Sequence, residues 1–132
     1  FNAGNIAGPV QEVMALPNNK IIIAGQFTAI NGYFANRIAR LFPDGSLDTS
    51  FHASVGGRIR DMHLQLDGKI IISGDFTNVN GVTVQRLARL NPDGTLDNSF
   101  NIGSVNGYIT TFEVDSNNKI FHGSLFFYYI FC

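Results

Sequence analysis

Four aspartates, two arginines and four phenylalanines recur in this chain at matching positions, and their chemistry is the first thing to weigh. Asp44, Asp48, Asp93 and Asp97 stand in polar, glycine-containing stretches and carry oxygen, the donor calcium prefers. Their spacing is Asp-Gly-x-Leu-Asp, which lacks the alternating oxygens of a calcium loop, so turn capping is the preferred role and no metal or cofactor is expected. Arg40 and Arg89 each precede an aspartate, Asp48 or Asp97, by eight residues across a tight turn. A guanidinium on a largely apolar strand face needs a partner, so the spacing predicts one Arg–Asp pair per repeat; binding of a carboxylate or sugar acid is the alternative. Phe27, Phe51, Phe76 and Phe100 keep a constant phase and are read as packing wedges, with a sugar-stacking row as the other reading.

Catalysis finds little support in these residues. His52, His63 and His122 fall at different phases of the repeat and gather no metal or catalytic cluster. Neither a Gly-x-Ser-x-Gly elbow nor a phosphate loop is present, and a propeller-type hydrolase or lyase would need a non-repeated cluster of acids or histidines. A net charge of −1 speaks against nucleic acid and anionic membrane. The single cysteine, Cys132, leaves no intrachain disulfide to form, so packing must supply the stability.

These residues are positioned by a tandem repeat. At an offset of 49, residues 20–51 are written again at 69–100, sharing Gly25/Gly74, Phe27/Phe76, Asn31-Gly32/Asn80-Gly81, Pro43-Asp44-Gly45/Pro92-Asp93-Gly94 and Ser50-Phe51/Ser99-Phe100. A period near fifty residues is that of a propeller blade or a solenoid turn. The units run over residues 1–50, 51–99 and, incompletely, 100–132. Within each, a glycine-bearing link, such as residues 103–107 in the third, leads into a first strand. Its apolar residues (Val10, Val13, Ala15; Ile59, Met62, Leu64; Ile109, Phe112, Val114) are spaced so as to predict a bulge after the first. Pro17-Asn18-Asn19, Asp67-Gly68 and Asn117-Asn118 predict a two-residue hairpin. The following β-branched strand, from Lys20 to Phe27 and from Lys69 to Phe76, is apolar on both faces and should be the most buried. A third strand from Asn36 to Phe42 and a short outer strand from Leu47 to Phe51 complete the count. The reading is therefore all-β: a partial β-propeller of tandem antiparallel four-stranded blades, each of about 50 residues.

Asp-Gly-Lys at 67–69, Gly-x-Phe at 74–76 and Asp-Gly-x-Leu-Asp-x-x-Phe at 93–100 closely resemble the delta-60 repeat, a bacterial β-propeller-like repeat family. The resemblance implies a secreted or surface-exposed bacterial protein with such repeats in tandem, and no catalytic residue carries over from it. The expected function is a non-enzymatic structural or interaction module; a carbohydrate-binding or adhesive propeller, with calcium assisting, is the alternative. Two and a half units should leave a bare blade face at each end, and roughly 400 Å² of wet apolar surface forgoes about 10 kcal/mol. The expected partners are therefore further blades of a longer parent chain, or a second copy meeting the open faces, together with a glycan or protein ligand. The tail from Leu125 to Cys132 is apolar, too short for the ~20 residues of a membrane helix, and reads as a strand with no evident neighbour.

Overall fold

A computed structural model describes residues 1–100, 111–115, 120–123 and 128–131. The third-unit link at 103–107, Ile109 and the Asn117-Asn118 turn lie outside the described residues. All described elements are strands. Repeat 1 contains β1 (Val10–Ala15), β2 (Ile21–Gly25), β3 (Ala29–Ile30), β4 (Tyr33–Phe34) and β5 (Ile38–Leu41). Repeat 2 echoes it with β6 (Ile59–Leu64), β7 (Ile70–Gly74), β8 (Asn78–Val79), β9 (Val82–Thr83) and β10 (Leu87–Leu90). The third unit supplies β11 (Thr111–Val114), β12 (Ile120–Gly123) and β13 (Tyr128–Phe131).

Each unit forms an antiparallel sheet with its second strand in the middle, in the orders β1-β2-β5, β6-β7-β10 and β11-β12-β13. The fourth, outer strand is reduced to a single bridge, Leu41↔Leu47 in repeat 1 and Leu90↔Leu96 in repeat 2. The chain cannot continue the ladder there, because the Ser50 and Phe51 amides both turn back onto Asp48. The apolar tail has a neighbour after all: β13 pairs with β12, from Ile120↔Phe131 to Gly123↔Tyr128, and so becomes the third strand of its unit. The small β3–β4 hairpin was not anticipated as a separate element. It folds because Asn31 and Gly32 take positive φ (51° and 80°), the two-residue turn that matches strand twist. The β1–β2 connection, by contrast, is a three-residue loop rather than a two-residue one. Leu16 bonds Lys20 across it and Asn19 takes φ 64°; Gly68 takes the same place in repeat 2.

Stacked sheets make the core. Ile22, Ala24 and Ile38 from one face of repeat 1 meet Ile70, Ile72, Ala88 and Leu90 from the opposite face of repeat 2. Ile71 and Leu87, on the far face of repeat 2, pack on Phe112. Thus β2 and β7 are covered on both sides, as a continuous apolar strand requires. The first face of repeat 1 is not bare, as two and a half units had suggested. Ile23, Phe27, Ile30, Ala39 and Leu41 are buried there, because the first residues of the chain fold across them. Asn2 bonds the Asp44 carbonyl, Ala7 the Ala29 carbonyl, and Ile6 bridges Ile30. Residues 52–56 run over repeat 2 by the same bonds, His52 to Asp93 and Gly56 to Asn78, with Val55 bridging Val79. What stays exposed on the first face lies at its inner strand, chiefly Val13.

Gly25 and Gly74 owe their identity to the bulge in the first strand, where the register slips between Val10 and Glu12 and between Ile59 and Asp61. The bulge presses backbone against backbone: a Cβ on Gly25 would meet the Pro9 carbonyl oxygen at 2.1 Å, and one on Gly74 the Arg58 carbonyl oxygen at 2.0 Å. Gly81 differs, since nothing lies within 4 Å of its would-be Cβ and only its φ of 78° opposes a side chain. Gly74→Ala should therefore cost about 3 kcal/mol through forced backbone shifts, and Gly81→Ala only about 1 kcal/mol. Urea unfolding of the two variants beside the parent checks the order.

Candidate functional site

The repeated charges form one cluster per blade. The Asp48 Oδ2 accepts from Lys20 Nζ at 2.8 Å and from Arg40 Nε at 2.8 Å, while Oδ1 accepts from the Ser50 amide and hydroxyl at 3.1 and 2.6 Å. In repeat 2, Asp97 accepts from Lys69 at 2.9 Å and Arg89 at 2.8 Å, with the Ser99 amide and hydroxyl at 3.0 and 2.6 Å. Phenylalanine completes each cluster. The Arg40 guanidinium lies 4.9 Å from the Phe51 ring centre, Arg89 lies 4.7 Å from Phe100, and the Lys20 ammonium sits 4.6 Å over Phe42. Arg40 also reaches across the blade junction, where its Nη1 donates to the Pro92 carbonyl at 2.6 Å.

Burial of Asp48 favours the neutral acid, but hydrogen bonds from Lys20, Ser50 and Arg40 outweigh it and hold the carboxyl well below its ordinary range. For Asp97 the Ser99 hydroxyl is the largest influence, opposed by burial and joined by Lys69 and Arg89, with the same result. Asp44 and Asp93 sit at the surface, and each accepts from the amide and hydroxyl two residues on, Ser46 or Thr95, which lowers its pKa. These are capped turns. The four aspartates do not converge, and among the described residues no group of three or more His, Cys, Asp or Glu side chains is gathered. The histidines are equally dispersed: His63 stands edge-on to Phe112 at 6.2 Å, whereas His52 lies in the link between repeats and His122 in β12. Phe27 and Phe76 are fully buried, Phe76 in the junction between repeats and Phe27 beneath the first residues of the chain.

A groove of about 340 Å³ opens where the β3–β4 hairpin meets the link into repeat 2. Tyr33 and Phe34 stand at it, 62% and 76% exposed, and Thr49, His52, Ser54 and Asn80 contribute polar groups. The Asp48 carboxylate and the Phe51 ring also line it. The repeat leaves this place unmarked, because its exposed residues Tyr33, Phe34, Thr49 and His52 do not recur. One step of 49 residues later, Tyr33-Phe34 has become Val82-Thr83, Thr49 is Asn98, His52 is Asn101 and Ser54 is Gly103. The second cation on each aspartate, Lys20 or Lys69, was also missed as an ion-pair partner, although the lysine recurs with the repeat.

Because the folded-state pKa values of Asp48 and Asp97 are depressed, their contribution is whole above the ordinary carboxylate value. It drains away as pH falls through that value toward the depressed one. The melting temperature should hold between about pH 7 and pH 5 and fall below about pH 4. An Asp48→Asn/Asp97→Asn double variant, scanned in the same buffers, should start lower and lose less on acidification. Asp48→Ala alone strands two half-buried cations and should cost about 3 kcal/mol in urea unfolding.

With this geometry in place, the chain matches the family model described as "Domain of unknown function (DUF5122) beta-propeller" over residues 16–51 and 65–100. No curated protein and no solved structure matches the chain.

Proposed function

Since the chain belongs to the DUF5122 β-propeller family, whose model covers more than half of it, we propose that it is a non-enzymatic interaction module in which repeated blades are the frame and non-repeated rim residues make the contacts. One observation carries the reading. The recurring side chains with chemical capacity, Asp48, Asp97, Arg40 and Arg89, are spent on contacts within and between blades, while Tyr33, Phe34, Thr49 and His52 at the junction groove depart from the repeat and remain exposed. A frame that recurs beneath a surface that does not is what a binding scaffold needs, because function then varies without disturbing the fold.

The setting we propose is the one implied by the delta-60 resemblance, a secreted or cell-surface bacterial protein. Its proposed partners are further blades of a longer parent chain or a second copy, placed against the face that exposes Val13, and a protein or glycan ligand at the rim. Calcium is given no part, because each of Asp48 and Asp97 already faces two cations.

Calorimetric titration against a panel of soluble oligosaccharides and peptides tests the module. Saturable binding is expected, unchanged by a chelator, with the ligand recovered intact by mass spectrometry. Multiple-turnover conversion of any bound ligand would overturn the non-enzymatic assignment.

A further inference from the structure

We infer that the groove at the junction of repeats 1 and 2 is a binding site for an uncharged sugar ring. The inference rests on the interaction role just proposed and names the class of ligand. Its first support is a pair of aromatic rings that the fold does not need. Tyr33 and Phe34 form one strand of the β3–β4 hairpin, yet the same hairpin with the same Asn-Gly turn folds in repeat 2 around Val82 and Thr83. Two adjacent large aromatics left 62% and 76% exposed cost solubility and add nothing to the core. The apolar C–H face of a sugar ring is the sort of surface that an exposed aromatic ring covers.

The polar lining suits the remaining faces of such a ring. Thr49 and Ser54 bring hydroxyls and His52 brings an imidazole, groups that donate to or accept from sugar hydroxyls. The Ser54 Oγ accepts from Asn36 Nδ2 at 3.2 Å, which leaves its own proton to donate outward. Asn80 contributes position rather than recognition. Its Oδ1 accepts from the Ser54 amide at 2.7 Å and its Nδ2 donates to the His52 and Gly94 carbonyls at 3.2 Å each, so the link that carries His52 and Ser54 is clamped in place.

Charge decides which kind of ring. The groove's one carboxylate, Asp48, already holds Lys20 and Arg40, and no lysine or arginine stands among the lining residues to pair with an anion. A uronic acid or phosphate brought here would give up its water with no lysine or arginine of the lining to pair with. A neutral ring meets no such penalty. The volume, about 340 Å³, lies at the small end for ligand sites, which suits one or two residues of an oligosaccharide.

The test uses the whole chain, labelled with nitrogen-15, titrated with cellotetraose, maltotetraose and tetra-N-acetylchitotetraose, and with trigalacturonate as the charged control. At least one neutral tetrasaccharide should shift the amides of Thr49, His52 and Ser54 saturably, and trigalacturonate should not. The Tyr33→Val/Phe34→Thr variant installs repeat 2's own residues, so the hairpin should keep its fold, verified by unchanged signals away from the groove, while sugar binding weakens at least tenfold. Absence of groove shifts with all three neutral sugars, or full binding by the double variant, overturns the sugar assignment. If peptides alone bind in the calorimetric panel, the interaction role stands and the sugar site falls.

Discussion

A strand that is apolar on both faces must be covered on both faces, and that constraint governs this molecule. β2 and β7 carry Ile21 to Ile23 and Ile70 to Ile72 in unbroken runs, so neither sheet can be half wet in the manner of an isolated antiparallel sheet. Each fully buried isoleucine contributes about 2 kcal/mol relative to exposure, and in repeat 2 that contribution is realised only when repeat 1 supplies Ile22, Ala24 and Ile38 on one side and the third unit supplies Phe112 on the other. Stability is thus shared between neighbours, as in other repeat proteins. The same need explains the chain's first residues, which lie across Ile23, Phe27 and Leu41 as residues 52–56 lie across repeat 2.

Stacking the sheets imposes a second requirement on the polar residues. Asp48 and Asp97 are drawn into places where water reaches them poorly, and each is held ionised by a lysine, an arginine and a serine. The arginine is the choice that also serves packing. Its planar head stacks on Phe51 or Phe100, and in Arg40 it still reaches the Pro92 carbonyl of the next blade. Chemistry that looked available in the chain, carboxylates and guanidinium groups in register, is thereby consumed in joining blades. The binding capacity we propose falls to residues free of that duty.

The third unit shows how little of a blade the pairing rules demand. Only four residues separate β12 from β13, whereas twelve separate β2 from β5, and the small hairpin found in repeats 1 and 2 has no room there. The middle strand is nonetheless flanked on both sides, by β11 and β13. An apolar segment that departs from the repeat text has taken the place of the usual third strand, because a β-rich run beside an unpaired edge satisfies the backbone whatever its side chains spell.

The repeat alone determined the fold class, the most buried strand and the positions of the tight turns in repeats 1 and 2, because these depend on periodicity and on local backbone preference. The chain likewise announced the bulge opposite Gly25 and Gly74 and the eight-residue spacing from Arg40 to Asp48. Tertiary structure decided which face of repeat 1 meets which face of repeat 2, that Lys20 joins Asp48 from 28 residues away, that Arg40 bridges to Pro92, and that the tail finds β12. It also decided the groove, whose walls come from the β3–β4 hairpin, the link into repeat 2 and Asn80 of the β8–β9 turn. Contacts between segments far apart in sequence leave no trace in local spacing, and only the packing of one sheet on the next brings them within bonding distance.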